Sequence, residues 1–161
     1  MKTILIADAG GTSTTWTVVR PEGKSTFKTE PFNAVHMPSS ELHRIIESIG
    51  LHEVTGPDPK VRFYGAGCRG EASRRVHEEL ERSFGHNSDI EVSSDLLGAA
   101  RALCGRTEGI ACILGTGSNS CLYDGEKIVA NTPSLGYILG DEGSGASIGR
   151  RFLGLLLKGH M

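Results

Sequence analysis

The spacing of hydrophobic positions changes several times along the chain, and each change marks an element. Residues 3–8, TILIAD, are a nearly continuous apolar run, which predicts a strand buried on both faces. The run stops at a loop of glycines and hydroxyls. TTWTVV then alternates Trp16 and Val18 on one side, PEG makes a turn, and KSTFKT reads as a third, more exposed strand. SSELHRIIESIG places Leu42, Ile45, Ile46 and Ile49 at helical spacing, with serines at its start and Gly50 at its stop.

TGPDPK leads into VRFYGAG, a strand ending in glycine, followed by a helix with Ala72, Val76, Leu80 and Phe84 four apart and Gly85 behind it. DIEVSSD predicts another strand, and LLGAARALCG a helix apolar at Leu96, Ala99, Ala100 and Leu103. Strands alternating with helices from residue 60 onward require crossovers and a mainly parallel sheet. From residue 110 the opening pattern returns as an apolar strand, IACIL, a glycine and hydroxyl loop, GTGSNS, and a hairpin, CLYDGEKIVAN, turning at Asp124-Gly125. The chain therefore reads as an internal repeat. A closing helix is expected from about Ser144 to Leu157, burying Ile148, Phe152, Leu155 and Leu156. The second copy is much the shorter, so part of a second lobe is expected to be missing.

The formal net charge of -2 lacks the basic footprint of a nucleic-acid binder, so no such partner is expected. No stretch has the 18 or so consecutive apolar residues of a membrane span, and the N-terminal run meets Asp8 too early for a signal peptide; a cytoplasmic protein is expected. Four cysteines without a C-x-x-C pair and six scattered histidines predict no metal held by nitrogen or sulfur. Glycine is the anomaly, at 22 of 161 residues. The usual share is roughly 7%, and here the excess clusters in loops.

Glycine lets backbone amides approach an anion closely and hydroxyls add donors, so Gly10, Gly11, Thr12 and Ser13, and again Gly115, Thr116 and Gly117, are candidate phosphate loops. There is no G-x-x-x-x-G-K-[ST], and neither loop runs into a helix as a dinucleotide fingerprint requires. Each leads into another strand, so hairpin amides would grip the phosphate, and two such hairpins can close on one phosphate chain. The alternative is a pair of tight turns needing glycine only for positive φ.

ADAGGTST, GTGSNS and GDEGSGASIG, in this order, resemble the actin-like, Hsp70-like sugar kinase superfamily. Within it, the stretch from SSDLLGAARALCG through LGYILGDEGSG is similar to N-acetylglucosamine kinases and the BadF/BadG-type ATPase family. The resemblance implies an α/β, actin-like ATPase (ribonuclease H-like) fold, a mixed sheet with flanking helices. Residues 1–105 would be a complete first lobe and 106–161 the start of a second, with ATP and sugar meeting in the cleft.

The resemblance further implies that Asp8 sits beside Mg2+, through water, while Gly11, Thr12 and Ser13 approach the terminal phosphates and Gly115, Thr116 and Gly117 form the second phosphate loop. Asp95 matches the catalytic base. Asn33, Ser118, Asn119, Gly136 and Asp141 match the sugar side. Plainer roles stand beside these: Asp8 bonding loop amides, Asp95 capping the helix that follows, Asn33 as a loop residue, and Asp141-Glu142 as an acidic helix start.

The implied activity is ATP-dependent phosphorylation of an amino sugar, N-acetylglucosamine to its 6-phosphate. Rivals are a nucleotide-binding regulatory or assembly module and a BadF-type activator ATPase, which holds an iron-sulfur cluster through cysteines. Cys112 in an apolar strand and Cys121 in a hairpin instead read as buried free thiols. Family members run well beyond 161 residues, and the part that cradles adenine has no counterpart here. Poor activity is therefore expected unless a partner, or a second copy in a homodimer, covers the cleft.

Overall fold

The computed structural model describes residues 2–160, which form two compact units dividing between Gly98 and Ala99. That division falls inside a helix, where the sequence placed the boundary after residue 105.

Unit 1 opens with an antiparallel meander, β1 (Ile4–Ala9), β2 (Thr14–Arg20) and β3 (Gly23–Thr29). Then come α1 (Ser39–Ser48), α2 (Leu51–Thr55), β4 (Lys60–Gly65), α3 (Glu71–Phe84), β5 (Asp89–Ser94) and α4 (Asp95–Cys104). The sheet runs β3-β2-β1-β4-β5, with β4 and β5 parallel to β1. It is the expected mixed sheet of the actin-like ATPase fold.

Strand periodicity builds the core. Leu5, Ala7, Trp16, Val18, Val61 and Phe63 share one buried cluster with Leu42 and Ile46 of α1 and Val76 and Leu80 of α3. Ala7 pairs with both Trp16 and Phe63, and its small side chain leaves room for their rings to meet edge to face at 6.0 Å. β1 is not buried equally on both faces as expected: Leu5, Ala7 and Ala9 are fully buried, whereas Ile4 and Ile6 are half-buried. The opposite face carries α4, where a Cβ on Gly98 would come within 2.8 Å of the Tyr64 ring, and the cover there is incomplete.

Two helix ends differ from expectation. Ser39 and Ser40 are the first residues inside α1, and Pro38 stands at the cap without a side-chain bond. Gly50 adopts φ 58 and opens α2, whose five residues are too few to show a period.

Unit 2 repeats the meander as β6 (Gly109–Leu114), β7 (Ser118–Tyr123) and β8 (Ile128–Thr132), then adds α5 (Gly136–Leu139) and α6 (Gly145–Leu157). Its helix bounds match the sequence; its burial does not. Ile148, Phe152, Leu155 and Leu156 on α6 are exposed, as are Leu103 on α4 and Ile110 and Leu114 on β6. Cys112 is exposed as well, although Cys121 is buried. The reason is a three-stranded sheet with one covered face. Ala111, Cys121 and Tyr123 lie on that face, and the alternate residues of β6 have no layer over them.

Candidate active site

Because β1, β4 and β5 are parallel, their carboxyl ends share one edge of the sheet, where open α/β sheets place ligands. That edge brings together Asp8, the Gly10 hairpin, the turn after Gly65 and Asp95. The Gly10 amide donates to the Ser13 carbonyl at 3.0 Å, and the Ala66 amide donates to the Ala9 carbonyl at 2.9 Å, tying the β4 turn to the end of β1. Gly11 and Thr12 are exposed at the hairpin tip, and among the described residues no backbone acceptor outside the strand ladders takes their amides.

Gly10, Gly115 and Gly117 all lie outside the left-handed region. The reading in which these loops need glycine only for positive φ therefore fails.

Asp95 opens α4 at the end of β5, and its Oδ1 accepts the Leu96 amide at 2.8 Å. The Leu97 amide is taken by Ser94 Oγ at 3.3 Å, so the helix has a cap other than Asp95. Asp8 presents its side chain to solvent, yet its carboxyl pKa is raised above the usual range, first by burial and second by the charge of Asp95. The Cys68 thiol is pushed up to about 12 by burial, with Asp95 again contributing. Asp8, Cys68 and Asp95 thus form one electrostatic neighbourhood.

Two oxygen-only carboxylates that repel each other suit a hard cation. Among the described residues no group of three or more His, Cys, Asp or Glu is placed to hold a metal ion.

Asn33 reaches the same edge through its loop. Its Oδ1 accepts the Val35 amide at 2.9 Å, and its carbonyl accepts the His36 and Met37 amides. Arg75 on α3 donates to the Ala34 carbonyl at 2.9 Å. Gly67, at φ 76, lies against the loop: a Cβ there would strike Val35 and stand 3.4 Å from Asn33 Oδ1. Gly67 and Arg75 escaped the sequence analysis, which took VRFYGAG only as a strand ending in glycine.

Unit 2 carries the second loop. The Gly115 amide donates to the Gly117 carbonyl at 2.9 Å, and the first amides of α6 turn onto the loop, Gly145 to the Gly115 carbonyl at 2.8 Å and Ala146 to the Thr116 carbonyl at 3.2 Å. The helix N-terminus is thereby occupied by loop carbonyls. The Thr116 and Gly117 amides have no backbone acceptor outside the strand ladders among the described residues.

Asp141 is buried, at φ 57 between α5 and α6, so it is not the start of a helix. Ser118 and Asn119 belong to β7, and both border a cleft of about 270 Å³ with Ser120, Thr132, Ser134 and Glu142. Gly136 opens α5 at φ 70, where its carbonyl accepts the Gly140 amide.

No family model matches the chain. Across 170 aligned positions it is 29% identical to an N-acetylmuramic acid/N-acetylglucosamine kinase of Clostridium acetobutylicum, which takes in 98% of this chain and 54% of that protein. The solved structure of a candidate N-acetylglucosamine kinase from Porphyromonas gingivalis matches 98% of the chain at 48% identity, with a TM-score of 0.88 over 57% of its own length. Over nearly its whole length the chain is similar to proteins named as N-acetylglucosamine kinases. A candidate N-acetylglucosamine kinase from Chromobacterium violaceum, at 20% identity and TM-score 0.73, shares the fold. The chain spans about half the length of these relatives. No helix among the described residues is long and apolar enough to cross a membrane.

Proposed function

We propose that the chain carries the reacting groups of an ATP-dependent amino-sugar kinase that phosphorylates N-acetylglucosamine at its 6-hydroxyl. The observation that carries this reading is the pairing of Asp8 with Asp95 beside the Gly10 hairpin, in a chain 48% identical to a candidate N-acetylglucosamine kinase.

Asp95 lies at the carboxyl end of a parallel strand, and Ser94 supplies the cap of its helix. Its free oxygen accepts the proton of the sugar 6-hydroxyl as that oxygen attacks the γ-phosphorus. The bond from the γ-phosphorus to the bridging oxygen breaks, and ADP leaves with the electron pair. Transfer of this kind depends on positioning and charge neutralisation more than on covalent help from the protein, so aiming the hydroxyl is the main task of the carboxylate. Asp8 would hold Mg2+ through water, and the bound cation would supply positive charge to the phosphate oxygens. The exposed amides of Gly11 and Thr12 offer donors to the same oxygens, with the hydroxyls of Thr12 and Ser13 beside them. In unit 2, Thr116 and Gly117 carry amides of the same kind. Asn33 in unit 1, and Ser118, Asn119, Gly136 and Asp141 in unit 2, are the positions that the family resemblance gives to the sugar, where a mismatched hydroxyl would leave polar groups unpaired.

The test is ADP release from ATP and Mg2+ with and without N-acetylglucosamine, together with 31P NMR of the sugar product. The expected result is sugar-dependent release, phosphorus coupled to the C6 protons, and a loss of roughly 100- to 10,000-fold in Asp95→Asn. Release indifferent to sugar would assign the loops to a nucleotide-binding module. Full transfer by Asp95→Asn would remove the base.

A further inference from the structure

α3 carries two adjacent arginines in different surroundings. Arg74 pairs with Glu71 and Glu78 of its own helix, all three side chains being exposed. Arg75 instead donates from Nη2 to the carbonyl of Ala34, 41 residues away along the chain. Its Nε is buried, and among the described residues no acceptor takes it. A buried N–H without a partner opposes folding, so stability alone does not account for an arginine here.

The loop that Arg75 reaches is held at three points. Phe32, just before it, is buried and meets Phe63 of β4 edge to face, with ring centroids 6.1 Å apart. Gly67, in the turn after β4, lies so close to Val35 that a Cβ would strike it. The third point is the bond from Arg75, and it falls on Ala34, a buried residue between Asn33 and Val35.

The same loop decides what Asn33 can offer. A backbone amide only donates, so the Asn33 atom that faces the Val35 amide at 2.9 Å is the side-chain oxygen. That oxygen is used within the loop, and the Nδ2 hydrogens are the part of the side chain left for a ligand.

We propose that Arg75 is a positioning residue for the sugar: its guanidinium fixes the Ala34 carbonyl, and with it the turn that holds Asn33 as a donor to a hydroxyl or acetamido oxygen of the substrate. The inference rests on the reading in which Asn33 serves the sugar. Arg75 acts through the loop, as Gly67 does from its other contact.

The experiment measures amide hydrogen exchange, and N-acetylglucosamine affinity by titration calorimetry, on the 161-residue chain and on Arg75→Met, Arg75→Lys and Asn33→Asp. Methionine keeps an unbranched stem and removes every donor. Arg75→Met should speed exchange at Val35, His36 and Met37 and weaken sugar binding, each by roughly tenfold, while the amides of α3 stay as protected as in the wild type. Arg75→Lys retains a donor and should fall between the two. Asn33→Asp keeps an acceptor for the Val35 amide, so loop exchange should hold while sugar affinity falls. Unchanged loop exchange in Arg75→Met, a loosened loop with unchanged sugar affinity, protection lost evenly across α3, or a wild type that binds no sugar would each overturn the inference. Sugar binding that depends on Arg75, without sugar-dependent ADP release, would sink the kinase reading and support this one.

Discussion

The Asp141 carboxylate accepts the Ser118 amide at 3.1 Å, across the 23 residues that separate the second glycine loop from the approach to α6. A Cβ on Gly117 would stand 3.1 Å from the other oxygen of that carboxylate. The buried Asp141 side chain therefore braces the loop from behind, in addition to the sugar role that the family resemblance suggests. Asp141→Ala leaves the Ser118 amide without its acceptor and should cost about 1–3 kcal/mol. Asp141→Asn keeps an acceptor oxygen and should cost less. Hydrogen exchange at Ser118 reads the difference; equal protection in the wild type and Asp141→Ala would remove the brace.

Ser94 and Asp95 divide two duties that sequence reasoning had assigned to Asp95 alone. Ser94 Oγ takes the Leu97 amide, so Ser94→Ala should destabilise α4 by roughly 0.5–1 kcal/mol and leave the chemistry of Asp95 in place. Asp95→Asn should show the opposite pattern, with little change in chemical denaturation and a large change in phosphotransfer. Denaturation midpoints and sugar-dependent ADP release, measured on both variants, check the division. A larger stability loss in Asp95→Asn than in Ser94→Ala would return the cap to Asp95.

The parts of the fold legible in the sequence are those where period and burial agree. Trp16 and Val18 in β2, and Val76, Leu80 and Phe84 in α3, lie where their spacing puts them, because layers of the same unit cover both elements. Spacing also located α6. It could not reveal that Ile148 and Phe152 stay open, since amphipathicity states which face seeks cover and not whether cover is present. Of the site, Asp8, Asp95 and the two loops were visible as carboxylates and glycines at strand ends. Gly67 and Arg75 were not, because their contacts with the Asn33 loop join residues far apart in the chain and leave no local pattern.

The four cysteines should separate cleanly by reactivity. Cys112 is exposed, whereas Cys68 is buried with its thiol pushed up to about 12 and so carries almost no thiolate at neutral pH. With iodoacetamide at pH 8, mass spectrometry should find Cys112 alkylated first and Cys68 protected until the chain unfolds. Early alkylation of Cys68 would mean that the turn after Gly65 opens in the native protein.

Asp8 should make stability fall as pH rises through the acid range. Its folded pKa lies above the ordinary carboxylate value of about 3.9, so folding favours the protonated form. The contribution is fully present below the unfolded value and is lost as pH climbs through the raised folded value; above it, an ionised Asp8 carries first the cost of its partial burial and second the repulsion of Asp95. Asp8→Asn removes that cost. Because the side chain is largely exposed, solvent screening keeps the effect small, and the variant should gain on the order of one or two degrees in Tm at pH 7. The gain should shrink toward zero near pH 4. Addition of millimolar Mg2+ with ATP should narrow the gap at pH 7 by stabilising only the wild type, since the cation relieves the repulsion that the substitution abolishes. Thermal melts of both proteins across this range decide the matter: an Asp8→Asn variant less stable at pH 7 than at pH 4, relative to the wild type, would show that the Asp8 carboxylate is held by loop amides and not opposed by Asp95.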